Sequence, residues 1–297
     1  MMTEIETATE KAMPIPKATT TATIDVDDLP LTTRFALGPS ITLLQRAFLK
    51  KHGFLVFARV ASQKEVDMIS SELDRIERDF VSEGKKSVFG IPLFWGMRQN
   101  QPFLQRFPFT SVFSEKIRDF VRDDRFAPIR DLVGSGARVG DREKDGVVVN
   151  RYINLPGSAY PRLGWHTDGL RDLFYLRMPK EMLNIGLHLD FCDKDNGGLR
   201  LIPGSHTQGF WGMCFGKMYY TNGADKREVA VETEPGDLTV HDGRLWHRVE
   251  KSKRTGQASL RRSMYVPYLT DAYQPKDDTS KTPLYHYAGA ALRWLKK

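Results

Sequence analysis

His166, Thr167 and Asp168 set an imidazole and a carboxylate two residues apart, and His247 supplies a second imidazole further along the chain. On an extended strand, residues i and i+2 share a face, so His166 and Asp168 could both reach one ion. Two histidines and one carboxylate suit divalent iron and leave coordination positions open. Two such positions would take a chelating oxo-acid and a third would take dioxygen. A His-x-Asp pair alone arises often by chance, and a lone histidine is more often a hydrogen-bonded core or surface residue. The case therefore rests on the ordered set. His247 comes just past the Pro235-Gly236-Asp237 turn and the strand that begins Leu238-Thr239-Val240, which places it at the rim of a barrel, across from the first pair.

The elements that must position these residues fall into two halves. Leu43, Leu44, Ala47, Phe48 and Leu49 predict a helix ending near His52-Gly53, and Phe54 to Phe57 a short strand. Ser62 with Glu65 forms a capping box. After it, Val66, Ile69, Leu73, Ile76 and Phe80 recur at helical spacing. Ser114 to Val121 reads as a further helix, with Ile117, Phe120 and Val121 inward. The second half consists of strand-like runs: 147–155, 183–191, 199–202, 229–232, 238–241 and 260–267. Turn signals at 155–157, 195–198, 203–204, 235–237 and 242–243 separate them. The layout is mainly β with flanking helices: helices first, about 41–130, then a β-barrel, about 145–269. Residues 31–297 read as one domain closing in an extension at 270–297, and the polar, Thr-rich residues 1–30 as a mobile tail.

Composition narrows the class. The 297 residues carry 44 Lys+Arg against 37 Asp+Glu, a mild and dispersed excess of +7 that argues against a nucleic-acid surface. No apolar run is long enough to span a membrane, and the start lacks a signal-peptide core. Two cysteines, Cys192 and Cys214, are too few for a disulfide scaffold and lack metal-ligand spacing, so a reduced, cytoplasmic setting is expected. The expected partner is a small molecule, with no nucleic acid and no membrane; composition leaves the oligomeric state open.

From about Gly53 to Tyr268 the chain resembles the phytanoyl-CoA dioxygenase family. The likeness is carried by Gly53 to Phe57 with the Ser62 helix, by Trp165-His166-Thr167-Asp168, by Asn196 to His206, by Pro235 to His247, and by Arg261-Arg262-Ser263 leading to Tyr268. It implies a double-stranded β-helix, a cupin-like jelly roll, with an N-terminal helical layer. It also implies Fe(II) held by His166, Asp168 and His247, with 2-oxoglutarate and O2 as co-substrates. The expected reaction is hydroxylation of a C–H bond in a small molecule, with 2-oxoglutarate decarboxylated to succinate and CO2. Related halogenases have a small residue where Asp168 stands, so halogenation is disfavoured. Desaturation or rearrangement of a biosynthetic intermediate is the alternative outcome, and a catalytically silent jelly-roll binding module the alternative of another class.

A dicarboxylate on the metal needs a cation for its far end, and arginine matches a carboxylate with two parallel hydrogen bonds. Arg261 and Arg262 are both candidates, but neighbours on a strand face opposite ways. Arg261 is preferred, with Ser263 on the same face; Arg262 stays as the alternative, because Arg261 follows His247 at an unusually long spacing. Asn150, Tyr152 and Asn154 share one face of a strand and either bind the co-substrate or satisfy neighbouring backbone. Other histidines are set aside: His188 as a cavity or core residue, His206 as a brace, His241 as facing away from the metal, and His52 and His286 as outside the matched motifs. The aromatic residues of 89–113 and 210–220 read as core or as cavity lid.

Overall fold

In a computed structural model, the described residues are 25–284, 286 and 287. Most of the expected N-terminal tail and the end of the C-terminal extension lie outside them. Residues 25–30, assigned to the tail, include a 3-10 turn at Val26–Asp28, and Val26 and Leu29 pack against the core.

The fold is a jelly roll with flanking helices. The larger sheet runs, edge to edge, Phe54–Phe57, Leu238–Asp242, Met182–His188, Arg261–Leu269, Val148–Tyr152, Gln101–Phe107 and Phe94–Arg98, with Arg138–Val139 also pairing the end of Arg261–Leu269. The smaller sheet runs Val229–Ala230, Gly198–Leu201, His247–Glu250 and Leu163–His166. All these pairings are antiparallel.

Period-2 alternation on the large sheet separates core from cavity. Leu183, Ile185 and Leu187 pack into the main core, as do Met264, Val266 and Tyr268. Met182 and Asn184, and Tyr265 and Pro267, line a cavity on the other face. The helix Gln63–Ser82 closes the core, capped by Ser62 and Glu65 as the capping box requires. It buries Val66, Ile69, Leu73, Ile76 and Phe80, each contributing about 1.5–3 kcal/mol on removal from water. Helix Leu43–His52 ends at Gly53, whose φ of 82° favours glycine, and a Cβ there would press on the His206 ring.

Two expectations need correction, and two strands went unread. The 41–130 segment is not all helical: residues 94–107 form a hairpin, turned at Gln99 and Asn100 with φ of 50° and 61°, that extends the large sheet. The strands Leu163–His166 and His247–Glu250, which carry two of the candidate ligands, are too short and polar to stand out in the sequence. Finally, His166 is the last residue of its strand and Asp168 stands in the turn beyond it, so the two do not share one continuous strand. Among the described residues, no helix is long and apolar enough to cross a membrane.

Candidate metal centre

His166 and His247 are cross-strand partners in the small sheet, with ring centroids 4.0 Å apart. Asp168 is brought alongside by the turn, where its N–H donates to Gly243 O at 2.8 Å. The candidate ligand atoms of His166, Asp168 and His247 lie within 4.8 Å of one another.

Hydrogen bonding fixes the chemistry of these atoms. His166 Nδ1 donates to Gly164 O at 2.9 Å, and His247 Nδ1 donates to Leu245 O at 3.0 Å. A carbonyl only accepts, so each proton sits on Nδ1 and each Nε2 keeps its lone pair. Burial pushes the His166 and His247 imidazolium pKa values down, well down for His247, so both rings are neutral. Burial alone would raise the Asp168 carboxyl, but His247 and a hydrogen bond from His241 outweigh it and hold the group well below the usual carboxylate range. Two lone-pair nitrogens and one carboxylate therefore converge, a donor set that fits a divalent iron.

His241 was expected to face away. It is instead fully buried beside the site, donating from Nε2 to Asp168 Oδ2 at 3.1 Å, with its ring 4.6 Å from that of His247. Asn184 Nδ2 donates to the same oxygen at 3.0 Å. Oδ1, 3.8 Å from His247 Nε2, is thereby left facing the imidazoles. Such partners orient a ligating carboxylate. Asn184 pairs with His241 across the strands, so these two donors come from one register position. Sequence reasoning missed them; the signal was a His and an Asn among apolar residues on strands next to the ligand loops.

The strand bearing His166 is braced from outside. Trp165 is fully buried, its Nε1 donates to Gly223 O at 2.7 Å, and its N–H donates to Thr221 O at 2.8 Å. The connection that holds the 210–220 aromatic residues, read as core or cavity lid, thus lies over the metal strand and contributes Tyr220 to the cavity.

The cavity has a volume of about 230 Å³ and is lined by the three candidate ligands, by Asn150, Tyr152, Tyr160 and Tyr265, and by Phe94 of the hairpin. Asn150 Oδ1 is buried without a hydrogen-bond partner. Asn154 is placed elsewhere: its Nδ2 donates to Ser252 O at 3.0 Å and Arg254 O at 2.9 Å, clamping the connection that lengthens the His247–Arg261 spacing. Ser263 is buried on the Asn150 side of its strand and bonds to Tyr265.

Arg261 and Arg262 point opposite ways. Arg262 grips Asp190 with Nε at 2.9 Å and Nη2 at 2.8 Å. The Arg261 guanidinium is buried, 5.8 Å from the Tyr152 ring, and donates to the carbonyls of Ser259, Glu250 and Pro161. Burial pushes its pKa down. Among the described residues no carboxylate faces it, and two of its five N–H groups stay unassigned.

Of the histidines set aside, His188 is satisfied by Thr239 Oγ1 at 3.1 Å, and His206 braces the Leu43–His52 helix by donating to Lys50 O at 3.2 Å. His286 lines the cavity.

Comparison with known proteins bears on the family and the fold. A curated relative, Dioxygenase cdmD of Talaromyces verruculosus, is 32% identical over 115 residues, 37% of this chain and 36% of that protein. The match thus spans about a third of the curated relative's length. HygX from Streptomyces hygroscopicus, solved with nickel and 2-oxoglutarate bound, superposes with a TM-score of 0.58 at 19% identity, over 80% of this chain and 90% of that one. The non-heme alpha ketoglutarate dependent carbocyclase SnoK from nogalamycin biosynthesis gives a TM-score of 0.58 at 16% identity, over 83% and 91%. At these identities the structural likenesses establish the shared fold. Residues 49–255, well over half the chain, match the model of the Phytanoyl-CoA dioxygenase (PhyH) family, and the chain belongs to that family.

Proposed function

We propose that the protein is an Fe(II)- and 2-oxoglutarate-dependent dioxygenase that hydroxylates a C–H bond of a small molecule. The observation that carries this is the convergence of His166, Asp168 and His247 with both Nε2 lone pairs left available by Nδ1 donation. Bound iron with 2-oxoglutarate and O2 supplies C–H oxidation coupled to release of succinate and CO2. Asp168 fills the third ligand position, which favours hydroxylation over halide transfer.

The chain's own residues do the rest. Arg261 anchors the far carboxylate of 2-oxoglutarate: it is a buried cation facing only neutral carbonyls, whereas Arg262 is fully engaged by Asp190. A buried guanidinium gains most from an anion brought to it in low dielectric. Asn150 and Tyr152 line the cavity with the metal ligands; the Arg261 guanidinium is not among its lining residues but lies 5.8 Å from the Tyr152 ring, and Asn150 Oδ1 is buried without a partner. Ser263 sits beside them on the Arg261 face. Asn154 works at a distance, through the connection it clamps.

The test is succinate formation in air with iron, ascorbate and 2-oxoglutarate across candidate small molecules. The wild-type protein is expected to form succinate and His247→Ala to form none. A metal-loaded, folded wild type that makes no succinate under any condition would overturn the reading in favour of a binding module.

A further inference from the structure

The cavity has a second charged end that neither the metal nor the co-substrate explains. Lys144 and Arg171 line the same cavity as the ligands. Lys144 Nζ touches the Met182 thioether at 3.0 Å, and Arg171 Nη2 donates to Gln274 Oε1 at 3.0 Å. These are neutral partners; among the described residues neither cation has a carboxylate. The two are tied together, because the Gln274 N–H donates to Glu143 Oε1 at 2.9 Å, next to Lys144. Lys276 Nζ, close enough to feel the charges of both Arg171 and Asp145, is buried without a hydrogen-bond partner.

The nearby carboxylates are already engaged. Asp145 is held by Arg106 Nη2 at 2.6 Å, with His286 Nε2 3.7 Å away. Glu143 and Asp271 pair with Arg138 at 2.7 and 3.6 Å. Lys144, Arg171 and Lys276 thus outnumber the carboxylate charge left over at this end, where Glu143 and Asp271 share Arg138 and Asp145 also acts on Lys276, and the excess positive charge favours an anion.

Its position separates it from the 2-oxoglutarate subsite. Arg261 opens the Arg261–Leu269 strand, opposite Tyr152, and Leu269 closes it, opposite Met182, the residue that Lys144 touches. Eight residues of strand separate the two ends by on the order of 25 Å. The metal ligands lie between, near Tyr265, whose ring is 6.1 Å from that of His241. A five-carbon dicarboxylate reaching from the metal to Arg261 points away from Lys144.

We propose that this end is an oxyanion subsite for the primary substrate: Lys144 and Arg171, backed by Lys276, bind its carboxylate or phosphate group. The oxidised carbon lies between that group and the metal. The inference rests on the dioxygenase reading above, and it names the substrate class as an acid or phosphate ester with an apolar body that suits the Leu170, Met182, Pro267 and Tyr265 walls.

Three probes of similar size test it by calorimetry on the iron-loaded protein held without oxygen, with and without 2-oxoglutarate: phenylacetate, phenyl phosphate and neutral phenylacetamide. At least one anion is expected to bind about tenfold or more tightly than the amide, with a preference that weakens as salt rises. Which anion binds better tells carboxylate from phosphate. Lys144→Met and Arg171→Gln should each remove most of the preference while 2-oxoglutarate affinity, which also certifies their folding, is unchanged. Equal binding of amide and anions, no binding of either anion, or loss of 2-oxoglutarate affinity in the two variants would overturn the proposal. A wild type that takes no 2-oxoglutarate would instead sink the dioxygenase reading, with anion preference still measured in its absence.

Discussion

His166 and His247 face each other directly across two antiparallel strands, their ring centroids 4.0 Å apart, and both protonate on the nitrogen turned away from the other ring's metal-binding edge. The backbone carbonyls of Gly164 and Leu245, each two residues before its histidine, set this symmetry. The site is therefore preorganised by strand pairing rather than by loops alone.

Asp168 depends on two donors outside the ligand set. Removing the His241 donor in His241→Phe, or the Asn184 donor in Asn184→Ala, should weaken Fe(II) affinity about 10–100-fold with all three ligands intact. His241→Gln, which can keep a donor toward Oδ2, should recover part of it. Metal titration by calorimetry under nitrogen measures this; unchanged affinity in both single variants would show that Asp168 needs no such support.

The two arginines should separate cleanly. Arg261→Ala is expected to raise the 2-oxoglutarate KM by about tenfold or more and also to lower Tm, because it leaves the Ser259, Glu250 and Pro161 carbonyls without their donor, and Arg261→Lys to restore part of the KM. Arg262→Ala strands Asp190 and should lower stability by about 1–3 kcal/mol without altering the 2-oxoglutarate requirement. A raised 2-oxoglutarate KM in Arg262→Ala but not in Arg261→Ala would mean the anchor is Arg262.

Acid should loosen the helical layer through Glu72. Burial alone would raise this carboxyl, but hydrogen bonds from Arg75 and Lys116 lower it from 4.5 to about 2. A depressed acid stabilises the fold above its unfolded pKa, and that contribution is lost as the pH falls from 4.5 toward 2. Denaturant melts across that window should show a steeper acid loss in the wild type than in Glu72→Gln, which starts less stable and lacks this part of the slope.

Gly53→Ala should destabilise the fold by about 1 kcal/mol or more, since it combines a left-handed backbone with a Cβ pressed on His206. A chemical denaturation curve with an unchanged midpoint would contradict the bracing role given to His206.

What could be read from the chain followed from local, repeating physics. The Ser62 capping box and the Val66-to-Phe80 stripe specify their helix without tertiary help, and the alternation in 183–189 and 261–269 specifies two-faced strands. The 94–107 hairpin escaped because its aromatic residues carry no clear period and its turn uses Gln99 and Asn100 at positive φ instead of glycine. His241 escaped because its role exists only in register: it pairs with Asn184 across the sheet, and nothing in the local sequence states that Asp168 will stand opposite. The Lys144–Arg171 end was invisible for the same reason, its charges being separated in the chain and gathered by Gln274.

The most direct test of the central claim is an anaerobic titration with Fe(II) and then 2-oxoglutarate, followed by visible absorption. A weak charge-transfer band is expected that saturates at one iron per wild-type chain and is lost in His247→Ala. Folded wild type with bound iron and no band, or the same band persisting in His247→Ala, would contradict it.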